Sequence, residues 1–144
     1  MPSPKSREYG CYYGNPQNIF WPVLAHVLGQ PEPHRDMESA AAFLLRNRIA
    51  LWDVLQSCDI YGAADGSIAN PVANRFAPLM NNSAIRAVFA TGKAATDLFN
   101  KLCAEEVGMR AAYLPSTSPA NRAAHGKPEF MRQWMQVADV LELF

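Results

Sequence analysis

The sequence predicts an α/β protein: a three-layer α/β/α domain built on a short central parallel sheet. Strand-length apolar runs, Ile49–Leu55, Ile85–Ala90 and Ala111–Leu114, alternate with longer stretches whose apolar residues recur at helical spacing. The resulting order of strand, helix, strand, loop and helix implies parallel strands with helices covering both faces. The chain has 144 residues and is 49% hydrophobic, so residues 1–144 are expected to form one domain with a sizeable core.

The elements follow in order. Met1 to Gly10 is polar, opens on Pro2, Ser3 and Pro4, and reads as loop. From Ile19 to Leu28 the residues Phe20, Val23, Leu24, Val27 and Leu28 share a helical stripe. Gly29 ends that helix, and Pro31 and Pro33 keep it ended. Ser39–Asn47 is a second helix, with Asp36 and Glu38 at its start and a buried side of Phe43, Leu44 and Leu45. Ile49–Leu55 reads as the first strand. Cys58–Asn74 has no period and carries Gly62, Asp65, Gly66, Ser67, Asn70 and Pro71, so it reads as a long loop of the functional kind. Ile85–Ala90 is the second strand. Thr91-Gly92 turns it into a helix from Lys93 to about Val107, which Gly108 closes. Ala111–Leu114, the third strand, breaks into a loop from Pro115 to Asn121. Pro128–Phe144 is an amphipathic helix with Phe130, Trp134, Val137, Leu141 and Phe144 on one stripe. Trp21, Trp52 and Trp134 read as core, His26 as helix surface, and His125 as part of a basic patch with Arg122 and Lys127.

Composition narrows the function. Zero formal net charge argues against a tight, non-specific nucleic-acid binder, which needs surplus Lys and Arg for phosphates. It leaves room for a small basic face or for helix N-termini that hold phosphate. Cys11, Cys58 and Cys103 are odd in number and far apart, with no CxxC. They suggest a reducing compartment, no disulfide framework, and neither a structural zinc nor an iron–sulfur cluster. No signal peptide or membrane-length apolar run is seen, so a soluble cytoplasmic protein is expected. Gly92-Lys93 lacks the spacing of a phosphate-binding P-loop.

Open α/β sheets bind ligands at the carboxyl ends of their strands, where Thr91-Gly92 and the Pro115–Asn121 loop lie. The third wall is the run Tyr12-Tyr13-Gly14-Asn15-Pro16-Gln17-Asn18-Ile19-Phe20-Trp21. A core segment has no use for its clustered amides, whereas a loop holding a flat polar ring does. Aromatics stack, amides match ring edges, and glycine lets backbone come close. The same residues also suit a plain turn that opens a helix, with Asn18 as cap and Pro16 as turn residue.

With these residues in view, the chain resembles the uracil-DNA glycosylase superfamily, and within it the hypoxanthine (deoxyinosine) DNA glycosylase family. The resemblance rests on Tyr12–Trp21, Ile49–Val54, Asp65–Asn70 and Leu114–Asn121, in that order, and spans nearly the whole chain; the first and last are the specific ones. It implies a monofunctional base-excision enzyme. Such an enzyme flips a deaminated base out of DNA and hydrolyses its N-glycosidic bond without metal or cofactor. Hypoxanthine is the implied base, with uracil or xanthine also possible substrates; the alternative is a non-catalytic nucleic-acid or nucleobase-binding member of the fold. By position, Asn18 is the implied catalytic amide, and Tyr13 the residue that stacks on the base. Gly14, Asn15 and Thr91 line the base pocket. Ser116, Thr117, Ser118, Pro119 and Asn121 form a DNA-facing loop, and Asp65, Ser67 and Asn70 belong to another. The family ordinarily has His where Asn15 stands and Asn where Thr91 stands. It also begins with a strand that this chain lacks, since Met1-Pro2-Ser3 matches only the tail of the following turn. The chain is therefore expected to be truncated at its N-terminus relative to the family.

Overall fold

The computed structural model describes residues 11–60, 68–81 and 83–143. They fall into two compact units: Asp53–Leu114, and the chain up to Trp52 joined to the chain from Pro115.

The second of these is helical. Helix α1, Phe20–Leu28, buries Phe20, Trp21, Val23, Leu24, Ala25 and Val27, nearly its whole length. It stops where Gly29 takes φ 65°, a left-handed conformation that suits a residue without Cβ. The Gly29 N–H then donates to the His26 carbonyl and the Gln30 N–H to that of Ala25, which satisfies carbonyls the helix leaves open. Helix α2, Met37–Arg46, starts earlier than its apolar pattern predicts, because Asp36 caps it by accepting from the Ser39 N–H at 2.8 Å. Its buried side is Ala40 and Phe43; Leu45, expected inside, is exposed. Asn47, buried just past its end, donates Nδ2 to the Phe43 carbonyl at 2.8 Å and exchanges amide hydrogen bonds with Gln30. Helix α7, Pro128–Leu143, packs its Phe130, Trp134 and Val137 side toward α1. Edge-to-face ring contacts fill the core, Phe20 with Trp134 at 5.8 Å and Trp21 with Phe43 at 6.2 Å.

The other unit holds the strands. Strands β1, Leu55–Ile60, and β2, Ile68–Ala73, pair antiparallel. A short helix α3, Ala77–Asn81, follows. Strand β3, Val88–Thr91, helix α4, Lys93–Leu102, helix α5, Ala104–Val107, and strand β4, Ala111–Leu114, complete the unit. β3 and β4 form a short parallel sheet, in register from Val88 beside Ala111 to Thr91 beside Leu114, and α4 packs on both. Gly92, at φ 89°, makes the turn from β3 into α4. The core here is Phe76, Ala90, Phe99, Cys103 and Ala111, with Phe76 edge-on to Phe99 at 5.4 Å. Asn100 continues the sheet's pairing from the helix, accepting from the Ala111 N–H at 2.8 Å and donating to its carbonyl at 3.3 Å.

The α/β class and the short parallel sheet stand; the second strand runs Val88–Thr91 rather than Ile85–Ala90, and the expected elements need four further corrections. Ile49–Val54 is not a strand; pairing begins at Leu55, because β2 supplies a partner only from there on. The stretch read as a loop from Cys58 to Asn74 contains the paired parts of β1 and β2, with residues 61–67 between them outside the described residues. Its Asn70-Pro71 discouraged a strand reading, but both fall in a register shift of the ladder, where a residue without an N–H is tolerated. Third, the predicted helix over 93–107 breaks at Cys103 into α4 and α5. Fourth, Trp52 is 56% exposed rather than core. No helix among the described residues is long and apolar enough to cross a membrane.

Candidate active site

The loop from Tyr13 to Asn18 is organised by its own amides. The Gly14 N–H donates to the Cys11 carbonyl at 3.0 Å and the Asn18 N–H to the Asn15 carbonyl at 2.9 Å, closing consecutive turns. The Asn15 side chain accepts from the Gln17 N–H at 3.0 Å, so its Oδ1 serves the loop itself. The Asn15 carbonyl also accepts from Arg35 Nη1. Asn18 is half-buried, and its Oδ1 accepts from the Phe20 N–H at 2.9 Å, covering one of the open donors at the start of α1. The N-cap of α1 is Ile19 rather than Asn18, but the Asn18 oxygen, one residue earlier, does similar work for the first helical N–H. Its Nδ2 has no acceptor among the described residues.

Tyr13 sits at φ 54°, a left-handed conformation that costs an aromatic residue on the order of 1–3 kcal/mol. The ring lies flat on Phe20, centroids 4.0 Å apart and planes within 14°, and such stacking offsets part of that cost. Phe20 is itself held edge-on by Trp21 and Trp134, and the Trp21 Nε1–H donates to the Tyr12 carbonyl at 2.9 Å. The aromatic core of the helices therefore carries the loop directly. Burial, with the Asp36 carboxylate adding to it, pushes the Cys11 thiol up against the lowering pull of Arg35.

The second loop, from Pro115 to Asn121, leaves the end of β4 and enters a short 3₁₀ turn, Pro119–Asn121, then helix α6, Arg122–His125. It too is knitted by its own side chains. Ser116 Oγ accepts from the Ser118 N–H and Ser118 Oγ from the Ala120 N–H, each at 3.2 Å. The Ser116 carbonyl receives Asn121 Nδ2 at 3.0 Å and lies 3.1 Å from His125 Nε2. Trp134, itself buried, donates Nε1–H to the Pro115 carbonyl at 3.0 Å and anchors the base of the loop to α7. Thr117 is 1% exposed and its Oγ1 has no partner among the described residues. What Thr117 presents to the site is its carbonyl, which accepts from the Ile19 N–H at 3.2 Å.

That last bond joins the two loops. Tyr13, Gly14, Asn15 and Asn18 stand in the same unit as Ser116, Thr117, Ser118, Pro119 and Asn121. Thr91, half-buried at the carboxyl end of β3, and Asn70, within β2, belong to the other unit. Asp65 and Ser67 lie outside the described residues. Sequence reasoning missed Arg35, which reaches back across the chain to a backbone carbonyl and leaves no local pattern. It also missed the inward turn of Thr117. No group of three or more His, Cys, Asp and Glu among the described residues is placed to hold a metal ion.

No family model matches the chain. It is 32% identical over 123 residues to a hypoxanthine DNA glycosylase of Methanosarcina acetivorans, covering 85% of this chain and 77% of that protein. It is 31% identical, with the same coverage, to the hypoxanthine DNA glycosylase of Methanosarcina barkeri. Among solved structures it is similar to the solution NMR structure of a proposed uracil DNA glycosylase from Methanosarcina acetivorans. The TM-score is 0.77 at 32% identity, over 98% of this chain and 86% of that one.

Proposed function

The chain belongs to the hypoxanthine DNA glycosylase family of the uracil-DNA glycosylase superfamily, and from that premise we propose that it is a monofunctional DNA glycosylase of base-excision repair. Its substrate is DNA carrying a deaminated base, hypoxanthine first and uracil or xanthine as lesser alternatives. It needs neither metal nor cofactor and works in the cytoplasm.

The observation that carries the reading is the Ile19-to-Thr117 backbone bond, which sets the two loops bearing the family's specific motifs side by side. The reaction asks for little more than a preorganised polar site. As the bond from C1′ to the base breaks, its electron pair leaves with the base; water adds to C1′ and gives up a proton, and the departing base takes one up. Positive charge develops on the sugar and negative charge on the base. An amide suffices, because an oxocarbenium-like centre needs a positioned water rather than a strong base. Asn18 suits this chemistry, since the Phe20 N–H occupies its oxygen and leaves Nδ2 to donate to charge developing on the base. Tyr13 stacks on the extruded base, returning about 1–3 kcal/mol against a flipping cost of a few kcal/mol. By their place in the family motif, Gly14 and Asn15 line the base pocket. Ser116, Ser118, Pro119 and Asn121 meet the DNA backbone, with Thr117 contributing through its main chain.

The test is excision from an end-labelled duplex holding one deoxyinosine, followed by alkali. Strand cleavage at the lesion is expected. An intact strand at any enzyme concentration, with binding retained, would replace the enzyme by a non-catalytic DNA-binding member of the family.

A further inference from the structure

We propose that Arg35 is a positioning residue of this site, acting through the Asn15 carbonyl on the placement of Asn18. The inference rests on the reading of Asn18 as the working amide. Residues 13–18 form no helix or strand, and Tyr13 holds them in a strained start. Their geometry depends on a few hydrogen bonds, and the Asn15 carbonyl is the hub. It accepts the Asn18 N–H at 2.9 Å and, from outside the loop, Arg35 Nη1. A guanidinium bond to a carbonyl is charge-assisted and stronger than the neutral bonds around it.

Arg35 is suited to this by its own fixing. Its side chain is 19% exposed, and Nη2 lies 3.5 Å from Glu32 Oε1. It immediately precedes Asp36, the residue that caps α2, and α2 is seated by Phe43 against Trp21. The guanidinium therefore stands on a packed helix start and reaches a loop that has no rigid element of its own. An arginine kept for phosphate would hold its fork open to solvent; this one is largely covered and places Nη1 on a backbone carbonyl. Misplacement of a reacting group by about 1 Å can cost on the order of 100-fold in rate. Removing Arg35 releases the turn that sets Asn18.

The experiment compares wild type, Arg35→Met and Arg35→Lys on the deoxyinosine duplex in single-turnover reactions, over a range of enzyme concentrations and salt. Amide hydrogen exchange of residues 12–19 is followed in the same proteins without DNA. In Arg35→Met the saturating rate is expected to fall by about tenfold or more. The half-saturating concentration and its salt dependence should hold, and the Asn18 amide should exchange faster while the α1 and α7 amides do not. Arg35→Lys, which keeps a donor of similar reach, should recover part of the rate. An unchanged saturating rate overturns the proposal, and so does weaker binding with a shallower salt dependence, which would make Arg35 a phosphate ligand. If wild type releases no base, the glycosylase reading fails by itself. Exchange then decides the positioning role alone: faster at Asn18 upholds it, unchanged overturns it.

Discussion

On the proposed reading Asn18 carries two jobs on one side chain, holding the start of α1 and serving the reaction, and substitution separates them. Asn18→Asp keeps an oxygen to accept the Phe20 N–H and removes the Nδ2 donor. Its melting temperature should stay near that of wild type while base release falls by about 10²–10³, the usual effect of losing one preorganised donor. Asn18→Ala loses the cap as well and should lose roughly 1 kcal/mol of stability besides. Thr117 behaves oppositely. Its hydroxyl is buried without a partner among the described residues, so Thr117→Val should raise stability by about 1 kcal/mol in a denaturant titration. At this scale the sequence was legible where residues were out of character for their setting. Three amides and two tyrosines in one short stretch do not belong in a core, which is how Tyr13 and Asn18 stand out. Arg35 and Thr117 were illegible, because what distinguishes them is a contact 20 residues away and a direction of burial.

The elements were legible where their ends carry local signals. Gly29, Gly108 and the Gly92 turn mark helix boundaries through backbone conformations that few residues adopt, and β4 falls where its apolar run predicts. The strands were harder, because a strand is defined by its partner. Ile49–Val54 has strand composition but forms no ladder, touching the end of β2 only through Asn74, whose N–H donates to the Val54 carbonyl at 2.8 Å, whereas β2 carries Asn70 and Pro71 and pairs nonetheless. The α2 cap yields a pH prediction. The Ser39 backbone N–H, with the Ser39 hydroxyl next, holds the Asp36 carboxyl below its ordinary value. A depressed folded value means stabilisation that is present above the unfolded pKa, about 3.9, and lost as pH falls through the folded one. Asp36→Ala should therefore melt below wild type at neutral pH, and thermal melts should show the gap closing under acid. The anchor from α7 is testable in the same way. Trp134→Phe keeps the ring in the core but leaves the Pro115 carbonyl without its donor. We expect a loss of about 1–3 kcal/mol in denaturant titration, with slower base release as the loop base loosens.

For the whole molecule, the chain carries no net charge, so it cannot rely on a broad cationic surface to find its substrate. On the proposed reading the helical unit supplies the loops and the stacking ring that meet the DNA. The aromatic core of α1 and α7 continues outward through Phe20 into Tyr13, and Trp134 ties the second loop to the same core. Single-residue chemistry therefore rests on the packing of a whole unit. The central claim is that this chain cleaves the bond to a flipped deaminated base with Asn18 as the working amide. Its most direct test is the alkali-developed excision assay on a deoxyinosine duplex, run with wild type and Asn18→Asp at matched fold stability. The account predicts cleavage at the lesion by wild type and about 10²–10³ less by the variant. Equal cleavage by both proteins would contradict it, as would none by wild type.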